Sequence, residues 1–189
     1  MNRLFVTGTV FASTWCLRKF GLVRHSVFLL YKCIQFKIFI VTGASSGIGK
    51  CLVQEVLSRG DNVVALLRSP SALSELSKKY PSTQLLLVKC DVTNRKDVDD
   101  AFSEATKVFK RIDVVCNFAG YGFICEAENT PEKDARDMFE VNFWATAYIS
   151  REAVKIFRDA NGSSGGKLFN VSSTVGISGD PALSYYSAR

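Results

Sequence analysis

Metal ligands and long apolar runs are scarce in this sequence of 189 residues. It has a single histidine, and none of its six cysteines forms a Cys-x-x-Cys pair, so neither a zinc site nor a redox dithiol is indicated. Reduced, partly buried thiols are expected instead. The longest uncharged run near the N-terminus, residues 4–17, is shorter than the roughly 18 residues that suggest a membrane-spanning helix. The sequence therefore predicts no transmembrane helix.

Acidic residues are absent from the first 40 positions, which hold six of the 24 basic residues. The net charge of +6 comes from this stretch alone, because residues 41–189 contain 18 basic and 18 acidic groups. A basic patch on the folded part, and with it nucleic-acid binding, is not indicated. Residues 1–36 are interpreted as an extension that is a mitochondrial transit peptide, a secretory signal or unstructured. A cytoplasmic location is expected, with mitochondrial targeting as the alternative.

The rest of the chain has the composition and periodicity of one folded domain, residues 37–189. With 47% hydrophobic and 22% charged residues, the sequence can bury a core. Short runs rich in Val, Ile and Leu predict strands buried on both faces, as in a parallel sheet. These runs are 37–41, Asn62–Leu67, 84–90, 112–117 and 167–171.

Helical patterns lie between the predicted strands. They cover residues 48–57, 72–79, 95–110 and 132–160, and a further helix begins near Ser184. Thr130 is expected to cap the long helix, with Pro131 at its first position. Strands that alternate with helices in this way predict an α/β fold with right-handed crossovers and a doubly wound parallel sheet.

A glycine-rich segment, Val41-Thr-Gly-Ala-Ser-Ser-Gly-Ile-Gly49, follows the first predicted strand and opens the first helix. In that context the glycines indicate a dinucleotide site. Gly43 permits a tight turn, Gly47 lets the backbone approach a pyrophosphate, and Gly49 lets the helix pack close to the strand. The helix N-terminus would present N–H groups to the phosphates. An ordinary glycine-rich turn is the alternative.

Two further segments follow strands, as the glycine loop does. Asp91 comes just after the third strand, in Cys-Asp-Val, and Asn117-Phe-Ala-Gly120 ends the fourth. Together with the G-x-x-x-G-x-G spacing, these segments resemble the short-chain dehydrogenase/reductase family. The second segment is similar to the family's N-N-A-G, with Phe118 in place of the second Asn.

Three more polar residues match the family in order and in position. Asn142 lies inside the long helix, Ser173 follows the fifth strand, and Tyr186 comes 13 residues later. Taken singly, each also has a plain structural interpretation, as a helix polar residue, a turn hydroxyl and a buried aromatic. The resemblance extends from about residue 37 to residue 188.

The resemblance implies a Rossmann-type oxidoreductase that interconverts a small-molecule alcohol and a carbonyl compound. Tyr186 would protonate the carbonyl oxygen as hydride arrives from the nicotinamide, the Ser173 hydroxyl would hold that oxygen, and Asn142 would support a water relay. The cofactor-binding residues that it implies are Gly43, Ser45, Ser46, Gly47, Ile48, Gly49, Arg68, Asp91, Asn117, Ala119 and Gly120.

The end of the second strand predicts NADP(H) rather than NAD(H). An acidic residue at this place would bind the ribose 2′-OH of NAD, but the sequence has Leu67 followed by Arg68. The guanidinium of Arg68 can bind a 2′-phosphate bidentately. A solvated surface arginine is the alternative.

The long helix has more apolar surface than one contact with the sheet requires. One stripe consists of Ala135, Met138, Phe139, Ala145 and Ile149, and a second of Val141, Trp144 and Tyr148. In the family that the sequence resembles, this helix pairs across a two-fold axis, so a homo-oligomer is expected. A core role for both stripes is the alternative.

The resemblance also implies a lysine four residues after the tyrosine, where its ammonium would favour the phenolate. The sequence ends at Arg189, so neither that position nor the last strands of the family's sheet are present, and the fifth strand is expected to be an apolar edge. The chain is interpreted as a truncated product or an incomplete gene model. Three hypotheses follow: an oxidoreductase fully active only in a longer form, a nucleotide-binding protein without catalysis, and a fragment that hardly folds.

Overall fold

A computed structural model of the chain describes residues 38–188 and, from the N-terminal stretch, the two-residue strand Val10–Phe11. The proposed targeting segment otherwise lies outside the described residues, as do Lys37 and Arg189. The predictions made for those parts of the chain remain predictions.

The described strands form one sheet in which every neighbouring pair is parallel. In chain order they are β1 (Val10–Phe11), β2 (Ile38–Thr42), β3 (Asn62–Leu67), β4 (Leu85–Lys89), β5 (Val114–Asn117) and β6 (Lys167–Ser172). Their order across the sheet is β1-β6-β5-β2-β3-β4. The chain thus runs outward from β2 to β4 and resumes on the other side of β2 with β5. This reversal is the switch point at which doubly wound folds bind ligands, at the carboxyl ends of the strands.

Helices cover both faces of the sheet and confirm the doubly wound α/β fold. They are α1 (Gly47–Ser58), α2 (Ser74–Lys79), α3 (Arg95–Phe109), α4 (Glu132–Phe139), α5 (Thr146–Asp159), α6 (Val175–Ser178) and α7 (Ser184–Ser187). Alternate side chains of each strand point to opposite faces. Phe39 and Val41 therefore pack with α1, whereas Ile38 and Ile40 pack with α3 and α5. The two cores fix the strand ends that carry the site.

The long predicted helix is not uniform. A π-helical segment, Glu140–Ala145, joins α4 to α5. The expected cap was wrong: helix α4 begins at Glu132, Pro131 precedes its first residue, and the Thr130 hydroxyl donates to the carbonyl of Glu126. Thr130 lies too early in the chain to accept hydrogen bonds from the first helical turn.

The outer edge of β6 is partly paired, contrary to the expected free edge. Val10 lies opposite Val171 and Phe11 opposite Ser172 in parallel register. The short strand β1 thus pairs with the carboxyl-terminal part of β6, although the two segments lie far apart in the sequence.

Candidate functional site

The glycine loop between β2 and α1 is shaped by close contacts of backbone with backbone. Gly43 has φ +63°, and a Cβ atom there would lie 2.8 Å from the carbonyl carbon of Phe118 and from the amide nitrogen of Ala119. A Cβ atom at Gly49 would lie 2.4 Å from the carbonyl oxygen of Gly43. Neither position has room for a side chain. The loop therefore packs directly on the end of β5 and on the first turn of α1.

Gly47 differs from these two glycines. It has φ +53°, but no atom lies within 4 Å of where its Cβ atom would be. It is the first residue of α1, and Ser46 makes no side-chain capping hydrogen bond there. Ser45 and Ser46 are exposed, whereas Ile48 packs against the core. The N-terminus of α1 thus borders open space at the switch point, where an anion would be favoured.

Thr42 connects the glycine loop to the next strand, and the sequence analysis missed it. Its side chain is fully buried, and Oγ1 accepts hydrogen bonds from the N–H groups of Phe118 (3.1 Å) and Ala119 (3.0 Å). A polar residue at the end of an apolar buried strand was the available signal, because a buried hydroxyl needs a partner.

Asn117 ends β5 and points toward β6. Its side chain is buried, and Nδ2 donates to Oδ1 of Asn170 at 2.8 Å. Asn170 in turn donates to the Ser150 hydroxyl of α5 at 3.2 Å. Within the described part of the chain, Oδ1 of Asn117 is buried and accepts no hydrogen bond. Such an acceptor at the carboxyl edge of the sheet is open to a ligand donor.

Arg68 and Asp91 lie near each other after two adjacent strands, β3 and β4. The N–H and hydroxyl groups of Thr93 donate to the carboxylate of Asp91 at 3.0 and 2.8 Å. These hydrogen bonds hold the pKa of Asp91 below its ordinary value, and the Arg68 guanidinium lowers it further. Asp91 is therefore ionised at neutral pH. The exposed Arg68 side chain is available to a second anion.

Two buried cysteines near the site, Cys90 and Cys116, are thiols without reactive character. The described cysteines are all free. Burial raises the pKa of both Cys90 and Cys116 to about 12. These two groups stay protonated and serve as small apolar core residues.

Asn142 lies in the π-helical segment and holds the loop that follows β5. Its side chain is buried; Oδ1 accepts from the N–H of Tyr121 at 3.0 Å, and Nδ2 donates to the Tyr121 carbonyl at 2.7 Å. A Cβ atom at Gly120 would come within 3.0 Å of the same Oδ1. The amide of Asn142 thus binds both polar backbone groups of one loop residue.

Ser173 and Tyr186 enter the site from the segment after β6. Ser173 is buried and its Oγ accepts a long hydrogen bond of 3.4 Å from the N–H of Val175, the first residue of α6. Tyr186 lies in α7, and its half-buried ring is against the backbone of Gly122. Helices α6 and α7 are in contact. The structure therefore brings Ser173, Tyr186 and the loop held by Asn142 to the same edge of the sheet as the glycine loop.

Residues 38–188 contain neither a membrane-spanning helix nor a metal-binding cluster. No helix there is long and apolar enough to cross a membrane. No group of three or more His, Cys, Asp and Glu side chains there is arranged to hold a metal ion.

Comparison with known proteins identifies a protein family that this chain matches. The family described as short chain dehydrogenase matches residues 37–189. An uncharacterized oxidoreductase of Schizosaccharomyces pombe is 37% identical over 153 residues, which cover 81% of this chain and 50% of the relative. A crystal structure of a short-chain dehydrogenase from Streptomyces avermitilis superposes with a TM-score of 0.74 at 30% identity, covering 80% of this chain and 55% of that one. The chain spans about half the length of the curated relatives it matches.

Two further relatives are named for different nucleotides. The NADPH-dependent 3-dehydrocapnine reductase of Ornithobacterium rhinotracheale is 32% identical over 79% of this chain and 53% of its own length. The NAD-dependent glycerol dehydrogenase of Listeria innocua is 28% identical over 76% of this chain and 55% of its own length. The similarity thus extends to relatives of both nucleotide preferences.

The contrast between Gly47 and Gly49 gives a test of the loop. Gly49→Ala is expected to destabilise the fold by about 3 kcal/mol, since its Cβ atom overlaps backbone. Gly47→Ala is expected to lower the free energy of unfolding by only about 1 kcal/mol, because the residue has a positive φ. The same change is expected to abolish dinucleotide binding. Urea unfolding and calorimetric titration with NADPH measure the two effects. Equal affinity in Gly47→Ala and the unchanged chain would contradict a phosphate site at this turn.

Proposed function

We propose that this chain, which belongs to the short-chain dehydrogenase family, binds NADP(H) and interconverts an alcohol and a carbonyl compound, with Tyr186 as acid and base. The fold and the family expected from the motifs are both confirmed, and the family consists of oxidoreductases. One observation carries the proposal. Ser173, Tyr186 and the loop held by Asn142 lie at the same edge of the sheet as the glycine loop.

The residues at the switch point fit a nicotinamide dinucleotide. The open space at Gly47 and the N-terminus of α1, which has no side-chain cap, suit a pyrophosphate. The Oδ1 acceptor of Asn117, which has no hydrogen-bond partner among the described residues, suits a donor group of the ligand. Residues 43–49 would hold the pyrophosphate, Asp91 the adenine side, and Asn117, Ala119 and Gly120 the nicotinamide side. The bound nicotinamide supplies or accepts the hydride.

The chain's own residues handle the proton and the substrate oxygen. In the reductive direction the Tyr186 hydroxyl donates its proton to the carbonyl oxygen, and the Ser173 hydroxyl donates a hydrogen bond to the same oxygen. Asn142 keeps the loop after β5 in place, so that the ring of Tyr186 has a fixed surface to lie on. In the oxidative direction the same groups act in reverse order.

A charge argument favours NADP(H) over NAD(H). The Asp91 carboxylate accepts two hydrogen bonds from Thr93, while the place at the end of β3 is occupied by the apolar Leu67. An exposed guanidinium beside an apolar strand end attracts the 2′-phosphate that only NADP(H) carries.

Replacing Arg68 tests this preference. Arg68→Ala is expected to weaken NADPH binding by about 10- to 100-fold, the value of a hydrogen bond to a charged group, and to leave NADH binding unchanged. Isothermal titration calorimetry with both nucleotides gives the ratio. Arg136→Ala is the matched control, because Arg136 pairs with Glu132 on the surface of α4. NADH bound as tightly as NADPH by the unchanged chain would overturn the assignment.

Removing single hydroxyl groups tests the chemistry. Tyr186→Phe and Ser173→Ala are each expected to lower kcat for ketone or aldehyde reduction by about 100-fold or more, with NADPH binding retained. Tyr185→Phe is the control, since Tyr185 is the exposed neighbour in the same helix. The loss of NADPH absorbance measures turnover. NADPH binding without any turnover in the unchanged chain would favour the nucleotide-binding alternative.

The outward face of the long helix supports a homo-oligomer. The first stripe that the sequence predicted is largely in the core, where Ala135, Met138, Ala145 and Ile149 are buried. Phe143 and Trp144 are 44% and 55% exposed and form an edge-to-face pair with ring centroids 4.8 Å apart. Exposed aromatic pairs of this kind are typical of contact surfaces.

Sedimentation velocity tests the proposed association. The chain is expected to sediment as a dimer or larger at micromolar concentration, and Trp144→Glu is expected to shift it to monomer, because the charge would be buried in the contact. Val108→Glu places the same charge on a similarly exposed apolar position of α3 and should have no effect. A monomer in all three cases would exclude the oligomer.

A further inference from the structure

Gly122 makes an unusually close contact with the ring of Tyr186. A Cβ atom at Gly122 would lie 2.6 Å from Cδ2, 2.8 Å from Cε2 and 3.2 Å from Cγ of that ring. The distances rise only slightly across three ring atoms, so the position lies over the ring face and not beyond its edge. The aromatic ring thus rests on the glycine backbone itself.

The loop on which the ring rests is held from two sides. Asn142 binds the N–H and the carbonyl of Tyr121, the residue before Gly122. The N–H of Cys125 donates to the carbonyl of Ala182 at 2.9 Å, which ties the other end of the loop to the turn before α7. A side chain added at Gly122 could not easily push this backbone away.

Tyr186 is carried by a short helix. Helix α7 spans four residues, and the backbone bonds from Ser187 to Leu183 and from Ala188 to Ser184 close single turns. The two side-chain torsions of Tyr186 are therefore fixed by contacts outside the helix. The flat surface at Gly122 supplies such a contact, and a methyl group there would displace the ring and not the loop.

We infer that Gly122 is a positioning residue for Tyr186: having no side chain, it lets the ring rest on the loop and thereby sets where the phenol oxygen lies. The inference rests on the proposed function for its kinetic consequence, but the ring contact does not depend on that function. A Cβ atom needs about 3.5 Å or more from ring carbons, so Gly122→Ala moves the ring by about 1 Å.

The kinetic test separates positioning from binding. Gly122→Ala is expected to lower kcat about 100-fold, since a misplacement of about 1 Å costs that much, and to leave the NADPH Kd unchanged. Gly176→Ala is the matched control in α6, where the added Cβ atom would meet nothing closer than 3.8 Å. Its kcat is expected to equal that of the unchanged chain. An unchanged kcat in Gly122→Ala would overturn the inference.

A nuclear magnetic resonance test works without turnover and examines the contact in the unchanged chain. In the chain labelled with ¹³C-glycine, the Hα resonances of Gly122, assigned by Gly122→Ala or by sequential spectra, are expected to be shifted upfield by the ring current of Tyr186. Tyr186→Phe keeps this shift and Tyr186→Leu removes it. Hα resonances at ordinary values in the unchanged chain would refute the contact. An upfield shift in a chain without reductase activity would keep the contact and refute the proposed function.

Discussion

The contact between the glycine loop and the end of β5 is the constraint on which the site depends. Gly43 touches the backbone of Phe118 and Ala119, and the buried Thr42 hydroxyl accepts from the N–H groups of the same two residues. These contacts cross the switch point of the sheet, between strands separated by more than seventy positions in the chain. Together with the pairing of β2 and β5, they fix the loop that carries residues 119–122 relative to the N-terminus of α1, so that a ligand can be held by both.

A second set of contacts continues from that point to the far side of the site. Asn142 binds the backbone of Tyr121, and the next residue supports the ring of Tyr186. The glycine loop, the loop after β5, the π-helical segment and α7 therefore form one connected series of contacts, each of which has backbone on at least one side. Because the last step depends on the absence of a side chain at Gly122 beneath an aromatic ring, a small change there is expected to alter geometry more than overall stability.

Periodicity and local motifs predicted most of the fold and the approximate place of the site. Strands β2 to β6 agree with the predicted runs to within one or two residues at either end, because strands buried on both faces need continuous apolar sequence. The cap predicted at Thr130 was wrong, and strand β1, the π-helical segment and the roles of Thr42 and Gly122 were not predicted. The contacts of Thr42, Asn142 and Gly122 depend on partners far away in the sequence, such as Tyr121 for Asn142 or Tyr186 for Gly122, and no local pattern contains those partners.

Asn142 is the residue at which support and chemistry are hardest to separate. Its amide satisfies one donor and one acceptor of the loop backbone, and removing it would leave both without their partner, at a cost of about 1–3 kcal/mol for each group that stays buried. A loss of activity on replacing Asn142 would therefore follow from a displaced loop as readily as from a lost proton relay. The hydroxyl groups of Ser173 and Tyr186 are different, since each can be removed as a single oxygen atom without taking away a backbone contact of the loop. Evidence for the chemical step must therefore come from those two oxygens, and effects at Asn142 and Gly122 report on the frame that positions them.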